Sequence, residues 1–327
     1  MKSLFIVVPC YNEQEVLPVT VLRLVEKLSM LIKNKRISHN SKILFVDDGS
    51  TDDTWDLLCR YFNENDYVSV IKLSRNVGHQ KALLAGLMAA KDCCDFSISM
   101  DADLQDDIEA MDEMIMKFNN GCDVVYGVRN KRKNDSFFKR VSAQFFYKTL
   151  KILGADIVYN HADYRLMSRR AMDALNEYKE TNIFLRGMIP LLGYPNDIVY
   201  YDRAPRIAGK SKYPLRKMIS FALDGITSFS IKPLRLISRV GVLFSFSSII
   251  WLIYAFVSKI FYPQTTVSGW TAIMVSIWFI GGVLMLCMGI LGEYIGKVFN
   301  EAKSRPLYHV ELALSKEERL NDENKKS

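Results

Sequence analysis

The chain has 327 residues, of which 49% are hydrophobic, and its formal net charge is +7. This length exceeds that of one small domain and allows a large catalytic domain with an appendage. The net charge is modest for the length, and we expect no nucleic acid among the partners. The six cysteines form no CxxC pair, so we expect reduced thiols in a cytosolic domain.

The first 130 residues alternate short apolar runs with amphipathic stretches of helical spacing. Strands are predicted over 3–8, 42–46, 68–73, 96–100 and 123–126, and helices over 13–32, 52–62, 78–91 and 108–119. Strands that are apolar on both faces and alternate with helices indicate an α/β fold, with a mostly parallel sheet covered by helices. Ligands of such sheets bind at the carboxyl ends of the strands, so the informative residues should follow each strand.

Beyond Arg129 the alternation is weaker. The pattern predicts a charged loop over 131–139, an aromatic-rich amphipathic helix over 137–153, a strand over 162–167 and a helix from Arg169. Over 213–237 apolar residues recur at roughly helical spacing among basic ones, which favours helices lying in a membrane interface. A helix packed on the catalytic domain is the alternative for this stretch.

Two segments without charge, 240–258 and 260–292, follow a stretch over 203–239 that contains nine Lys or Arg and one acid. Each segment is long enough for a membrane-spanning helix, with the core of the second over 269–292. Basic residues flank the outer ends, which predicts a two-helix transmembrane hairpin with both ends in the cytoplasm. A buried helical hairpin in a soluble protein is the alternative.

These patterns predict four parts for a multi-pass protein of the cell membrane. They are a cytoplasmic catalytic domain over 1–202, basic juxtamembrane interfacial helices over 203–239, two transmembrane helices within 240–299, and a charged cytoplasmic tail over 300–327. The end of that tail, from Ser315, is highly charged and predicted to be disordered.

Acidic residues follow the strand predicted over 96–100, where the sequence reads Asp-Ala-Asp-Leu-Gln-Asp from Asp101. Carboxylates at i and i+2 after a strand, here Asp101 and Asp103, can converge on one hard cation when the backbone turns. Mg²⁺ or Mn²⁺ would suit such oxygen ligands and would be shared with substrate phosphates. An acidic turn without a metal is the alternative, because such turns are common.

Polar residues also follow the first two strands. Asp47 and Asp48 precede a segment rich in Ser, Thr and Asp that can cap a helix, and a carboxylate there can accept from a pyrimidine N–H or a ribose hydroxyl. Pro9 fixes the chain after the first strand, Tyr11 could stack on a base, and Glu13 could reach a ribose hydroxyl or cap the following helix.

Together these three strand-end motifs resemble the family 2 glycosyltransferases, which have the GT-A fold. Four further segments, 73–86, 127–129, 163–169 and 209–213, are similar to the polyprenyl-phosphate branch of that family, as is the C-terminal hairpin. The resemblance covers residues 1–300. Two departures are Asp107–Ile108, where the family often has Pro, and Tyr164, where it often has Phe; neither removes a charged group.

The resemblance implies roles for particular residues. Asp101, Asp103 and Gln105 would hold the metal and the donor diphosphate, and Pro9, Tyr11, Glu13, Asp47, Asp48, Asp101 and Ala102 would bind the nucleoside part of the donor. Arg129, Arg165, Arg203, Lys210, Ser211 and Lys212 would surround phosphate groups, for which arginine presents a suitable fork. Asp163 would act as a base or position the acceptor, or form a structural ion pair with Arg165. His79 and His161 are interpreted as hydrogen-bonded structural histidines, with a catalytic role as the alternative.

The reaction implied is a single displacement with inversion, from a nucleotide sugar to polyprenyl (undecaprenyl) phosphate at the cytoplasmic face, supplying a lipid-linked sugar for the cell envelope. UDP-glucose is the expected donor, ahead of UDP-GlcNAc, UDP-galactose and GDP-mannose. We also expect a homo-oligomer.

Two rival functions remain open. A processive polysaccharide synthase of the same superfamily would carry a Gln-x-x-Arg-Trp motif, but this chain contains no Arg-Trp dipeptide. A non-catalytic membrane partner of a flippase would not need the full set of acids and phosphate-binding cations.

Overall fold

A computed structural model describes residues 1–130, 161–202 and 269–315, together with isolated positions between 234 and 261. The helix predicted over 137–153, the charged loop before it and the interfacial helices over 213–237 lie outside the described residues. So do Arg203, Lys210, Ser211 and Lys212, and the tail beyond Ser315.

The described residues form one eight-stranded sheet. Its strands are Leu4–Cys10 (β1), Lys42–Asp47 (β2), Val68–Leu73 (β3), Phe96–Ser99 (β4), Val124–Arg129 (β5), His161–Ser168 (β6), Asn196–Tyr201 (β7) and Val310–Leu314 (β8). They lie in the order β7-β5-β6-β4-β1-β2-β3-β8. All neighbouring pairs are parallel except those made by β6 with β4 and β5, and by β8 with β3. The mostly parallel sheet with flanking helices is therefore confirmed.

Seven helices are described in full. They are Leu17–Lys33 (α1), Thr54–Glu64 (α2), His79–Ala90 (α3), Ala110–Asn119 (α4), Arg169–Asn176 (α5), Leu185–Leu191 (α6) and Trp270–Ala302 (α7). The prediction that the first helix begins at residue 13 is wrong, because Glu13 starts a turn whose carbonyl accepts from the N–H groups of Val16 and Leu17. Pro18 in the first helical turn suits the observed start, since proline has no N–H to lose there.

The core forms because the central strands are apolar on both faces. Ile6 in β1, Phe45 in β2 and Ile98 in β4 are fully buried, and α1 and α4 contribute Leu24 and Met114 to the same hydrophobic cluster. Fully burying one such side chain contributes roughly 1.5–3 kcal/mol, so this cluster is the main source of stability for the sheet.

Helix α3 packs unusually close to the sheet. A Cβ atom added at Gly86 would collide with the side chains of Val7 in β1 and Val46 in β2. Glycine at this position therefore lets α3 lie against the centre of the sheet, which fixes where the first residue of the helix, His79, stands.

Three elements were not predicted from the sequence, namely α6, β7 and β8. Strand β7 begins with the exposed Asn196 and Asp197, and only Val199 and Tyr201 are buried, so its apolar pattern is short. Strand β8 lies within the segment predicted to be a charged tail. It pairs antiparallel with β3, and Leu314 packs against the core.

Helix α7 belongs to a second compact unit of the chain, separate from the unit that contains the sheet. Its segment Phe279–Ala302 is long and apolar enough to cross a membrane, with a mean hydropathy of 1.7, and it is the one such helix among the described residues. The core of the second predicted span, 269–292, begins at the N-cap of α7 and continues within that helix. The presence of two spans stays a prediction.

Candidate active site

The loops after β1 and β2 are joined by hydrogen bonds. The backbone N–H of Asp48 donates to the carbonyl of Cys10 at 2.9 Å, and Asn12 accepts from the N–H of Thr51 at 2.8 Å through its side-chain oxygen. Tyr11 lies between Cys10 and Asn12 in the chain and is 44% exposed.

Pro9, predicted to follow the first strand, lies within β1, and Asp47 is the last residue of β2. The N–H of Glu13 donates to the Thr54 hydroxyl at 2.9 Å, so Glu13 lies beside the segment that follows β2.

Asp48 ties the loop after β2 to the loop after β3. One carboxylate oxygen accepts from the N–H of Val77 at 2.8 Å and the other from the N–H of Gly78 at 2.9 Å. Burial raises the pKa of Asp48 even though both hydrogen bonds favour the charged form. Asp47 is also buried, and its carboxylate accepts from the N–H of Ser50. Both acids therefore shape the loops, and their predicted contact with the nucleoside stays a prediction.

Gly49 allows these two loops to approach each other. Its φ of +65° lies in the left-handed region, and a Cβ atom there would stand 2.6 Å from the backbone of Arg75 and Asn76. A side chain at position 49 is therefore opposed both by the conformation and by the lack of space.

The acidic loop after β4 is held at several points. The carbonyl of Ala102 accepts from the Thr20 hydroxyl at 2.7 Å, and Asp103 accepts from the N–H of Gln105 at 3.2 Å. Leu104 has a φ of +51°, so the backbone turns sharply here. Gln105 is buried.

Asp101, at the start of this loop, lacks a full set of partners. Its Oδ1 atom is buried and accepts no hydrogen bond within the described part of the chain. The nearby cation is His79, whose Nε2 atom lies 3.4 Å from that oxygen. Burial raises the pKa of Asp101 to about 6, because charge on the carboxylate is poorly solvated and the acids Asp106, Asp163 and Asp103 add to the effect.

Asp163, in β6, is surrounded by cations. Its Oδ1 atom accepts from Arg165 at 2.6 Å and from the Nε atom of Arg186 at 3.1 Å, while its Oδ2 atom accepts from Arg186 at 3.0 Å. The Nε2 atom of His79 lies 3.5 Å from Oδ2. Arg165 comes from the same strand, Arg186 from α6 and His79 from the first residue of α3, so three elements meet at this carboxylate.

The charges of this cluster determine its pKa values. Burial would raise the pKa of Asp163, but His79, Arg186 and Arg165 outweigh it and hold the pKa well below its usual value. Burial would lower the pKa of His79, but Asp163 and Asp101 raise it above its usual value. Asp163 is consequently an anion at neutral pH and a weak proton acceptor.

The two arginines of this cluster differ in access. The side chain of Arg165 is only 1% exposed, and its Nε atom has no hydrogen-bond partner among the described residues. The side chain of Arg186 is 34% exposed. Arg186 is therefore better placed than Arg165 to meet a phosphate arriving from solvent, although the sequence pointed to Arg165.

Arg129, at the end of β5, lies beside a second buried acid. Its guanidinium donates to Asp106 at 3.2 Å and to the Tyr201 hydroxyl at 3.1 Å, and Tyr201 donates to the same Asp106 oxygen. The other oxygen of Asp106 is buried and has no hydrogen-bond partner in the described residues. Arg129 is thus engaged by protein groups, and its predicted role at a phosphate stays a prediction.

The structure therefore brings together most of the residues that the sequence pointed to, and adds three. His79 joins Asp101 to Asp163, Arg186 neutralises Asp163, and Asp106 anchors Arg129. Asp106 closes the acidic run and His79 follows Gly78 at a helix start, so both stood in motifs that the sequence displays. Arg186 stands in no such motif.

The sequence was compared with protein families and with known proteins. Residues 5–175 match the model of the Glycosyl transferase family 2, and residues 232–298 match the GtrB C-terminal hairpin. "Uncharacterized glycosyltransferase YkoT" of Bacillus subtilis (strain 168) is 49% identical over 315 residues, covering 96% of this chain and 93% of that protein. The "Prophage bactoprenol glucosyl transferase homolog" of Escherichia coli (strain K12) is 37% identical over 306 residues, covering 93% of this chain and 96% of that protein.

The mostly parallel sheet with acidic loops at its strand ends, and a family match over more than half of the chain, define the class of enzyme. The chain belongs to glycosyl transferase family 2 and is a glycosyltransferase.

Proposed function

We propose that this enzyme transfers a sugar from a nucleotide donor, with UDP-glucose as the best candidate, to polyprenyl phosphate with inversion at the anomeric carbon. The similarity over 93% of the chain to proteins named bactoprenol glucosyl transferase, in Escherichia coli and in Shigella phages, supports this acceptor and this sugar. The match to the GtrB C-terminal hairpin supports a membrane location, where such a lipid resides.

The proposed donor site rests on one observation, the buried Oδ1 atom of Asp101 that accepts no hydrogen bond from the described residues. A buried carboxylate oxygen without a hydrogen bond is costly unless another group satisfies it. Mg²⁺ or Mn²⁺, held by Asp101 and Asp103 with Gln105 nearby, fits this need. Within the described residues no cluster of three His, Cys, Asp or Glu side chains is arranged to hold a metal, so donor phosphate oxygens would complete the coordination. When bound, the ion would neutralise charge on the departing diphosphate.

The acceptor side follows from the cluster around Asp163. A phosphate monoester is largely ionised near neutral pH, so its oxygen can attack without a strong base. Since Asp163 is a poor proton acceptor here, we assign it the role of positioning group, which fixes His79 and Arg186. The exposed part of Arg186 would then attract and orient the acceptor phosphate.

The family match and the sequence support a membrane arrangement for this enzyme. Helix α7 and the segment over 240–258 would form the two-helix hairpin, with the catalytic domain and the tail in the cytoplasm. The basic stretch over 203–239, including Arg203, Lys210, Ser211 and Lys212, would lie at the headgroups, where each cation contributes about 1 kcal/mol of attraction to an anionic leaflet.

One experiment tests the reaction. Membranes containing the enzyme are incubated with undecaprenyl phosphate and, in turn, labelled UDP-glucose, UDP-GlcNAc, UDP-galactose and GDP-mannose, and the lipid product is identified. We expect one donor to give a lipid-phosphate sugar, and an Asp103→Asn variant at equal expression to give none. Transfer to a growing polysaccharide, with no dependence on the lipid, would favour a processive synthase instead. Absence of any product with every donor would contradict the proposal.

A further inference from the structure

Strand β8 lies beside the loop that links the donor-side acids to the Asp163 cluster. It pairs antiparallel with β3, and Leu73, the last residue of β3, stands opposite Val310. Directly after β3, the N–H of Ser74 donates to the carbonyl of His309 at 3.0 Å. The first residue of the loop over 74–78 is therefore fixed by the residue that precedes β8.

The same loop is fixed at its other end by the proposed donor site. The N–H groups of Val77 and Gly78 donate to the two oxygens of Asp48, and the backbone of Arg75 and Asn76 lies against Gly49. The next residue begins α3. The loop thus has three restraints, namely His309, the loop after β2 and the start of α3.

The residue that begins α3 is His79, which lies 3.4 Å from Asp101 and 3.5 Å from Asp163. A shift of the loop would displace His79 from both carboxylates and would remove the two backbone donors from Asp48. An error of about 1 Å in the position of reacting groups can cost 100-fold in rate, so a restraint on this loop has consequences for catalysis.

Strand β8 is held mainly through its backbone and one end. Its side chains are exposed, except for Leu314, which packs against the core. Glu311 pairs with Lys72 at 3.4 Å on the surface, and such an exposed pair contributes little. An edge strand with few buried side chains contributes less to the core than the central strands do. Removing β8 should therefore leave the domain folded, so that an effect on the position of the loop can be measured by itself.

We propose that residues 309–314 are a positioning element of the donor site, which holds the loop over 74–78 so that Asp48 and His79 stay in place. The proposal rests on the donor site assigned above. In this view the segment that the sequence predicts only as a charged tail contributes, through 309–314, to positioning the donor site.

Two truncations test it in the full membrane-inserted enzyme. A chain that ends at Tyr308 lacks His309 and β8, whereas the matched control ends at Ser315 and keeps both. We expect the shorter chain to show a KM for the nucleotide sugar raised about tenfold or more, a fall in kcat because His79 is displaced, and a smaller rise in the KM for polyprenyl phosphate. A peptide covering 307–316, added in excess, should restore part of the donor affinity.

Hydrogen exchange separates positioning from stability. In the chain ending at Tyr308, amides over 74–79 should exchange faster, while those of β1 should exchange as in the control. Equal acceleration in β1 and in the loop would mean that β8 only stabilises the domain, and equal donor KM values for the two truncations would overturn the proposal outright.

A substitution keeps the test independent of truncation. Ser74→Pro removes the N–H that donates to His309 while leaving β8 in the chain, and Ser74→Ala keeps that N–H. The proline variant should raise the donor KM and the alanine variant should not; a reversed or equal result counts against the proposal. If the intact enzyme instead binds no nucleotide sugar at all, the proposed function fails, whereas the exchange comparison still reports on the restraint.

Discussion

Asp101 and Asp163 both lie within 3.5 Å of the Nε2 atom of His79, but their other surroundings differ. Asp101 has a buried oxygen without a hydrogen bond and a pKa raised to about 6, whereas Asp163 is bonded to two arginines and has a pKa well below its usual value. The same side chain therefore has one nearby cation, His79, at position 101 and three, His79, Arg165 and Arg186, at position 163. This difference indicates where an added cation would bind and where an anionic phosphate would be attracted.

The largest effect is expected from Asp163→Asn, which removes the anion that two arginines share. Because Arg165 is buried, its charge would lose its partner, and the loss of one member of a buried pair costs about 3–5 kcal/mol of stability. We expect transfer to fall about 1,000-fold, measured as kcat/KM, with a smaller loss of nucleotide binding. Unfolding by urea gives the stability. A variant that kept transfer within a few-fold of the parent would remove Asp163 from the active site.

The next effect concerns the opposite carboxylate. Asp101→Asn removes a charge from the proposed cation site with little change in volume, and transfer should fall about 100-fold. The parent enzyme should lose activity in EDTA and regain it with Mg²⁺ or Mn²⁺. The variant should need a much higher concentration of either ion, as measured by titration of activity. Full parental activity in chelator would exclude the metal from the mechanism.

Arg186→Gln tests the neutralisation of Asp163 from the exposed side. Loss of this guanidinium should raise the KM for polyprenyl phosphate about tenfold and leave the donor KM nearly unchanged. Arg170→Gln is a matched control, because Arg170 also pairs with an acid, Asp123, and belongs to the same domain. If both variants changed the acceptor KM equally, a general loss of positive charge would explain the result.

The smallest effect is expected in the pH dependence of the free energy of unfolding, measured without metal, which Asp101 influences. Asp101 has a usual pKa of 3.8 and a folded pKa of about 6, so as the pH rises between these values the unfolded state releases its proton first, and the folded state loses stability. Asp101→Asn should abolish this loss and so be more stable than the parent near pH 7, yet equal to it near pH 3. The depressed pKa of Asp163 acts in the other direction, adding stability above its usual pKa. Chemical denaturation in EDTA across this range measures both trends.

The sequence predicted the strand ends because apolar runs followed by acids are local patterns. The strand over Val68–Leu73 has the predicted bounds, and Asp101 and Asp103 do follow β4. The Asp163–Arg165 ion pair was one of the predicted alternatives and is present. The contacts of Asp163 with His79 and Arg186 could not be predicted, because they depend on β6 running antiparallel between β4 and β5 and on a short helix that supplies Arg186. Neither the direction of a strand nor the contacts of a single arginine side chain can be read from the periodicity of the sequence.

Burial explains the other differences. The resemblance implied that Arg165 contacts a phosphate, and arginine suits that role, but neither reveals that the side chain is 1% exposed. Strand β8 was missed because only Leu314 of its side chains reaches the core, so its pairing depends on backbone hydrogen bonds, which any sequence can supply.

The approach of two loops at Gly49 has a consequence for suppressor genetics. A substitution at Gly86 meets the side chains of Val7 and Val46, so smaller residues at these two valines would make room for it. A substitution at Gly49 meets the main chain of Arg75 and Asn76, which no replacement elsewhere can shorten. A screen for revertants of Gly49→Ala should therefore return glycine at that codon, whereas Gly86→Ala should yield second-site revertants.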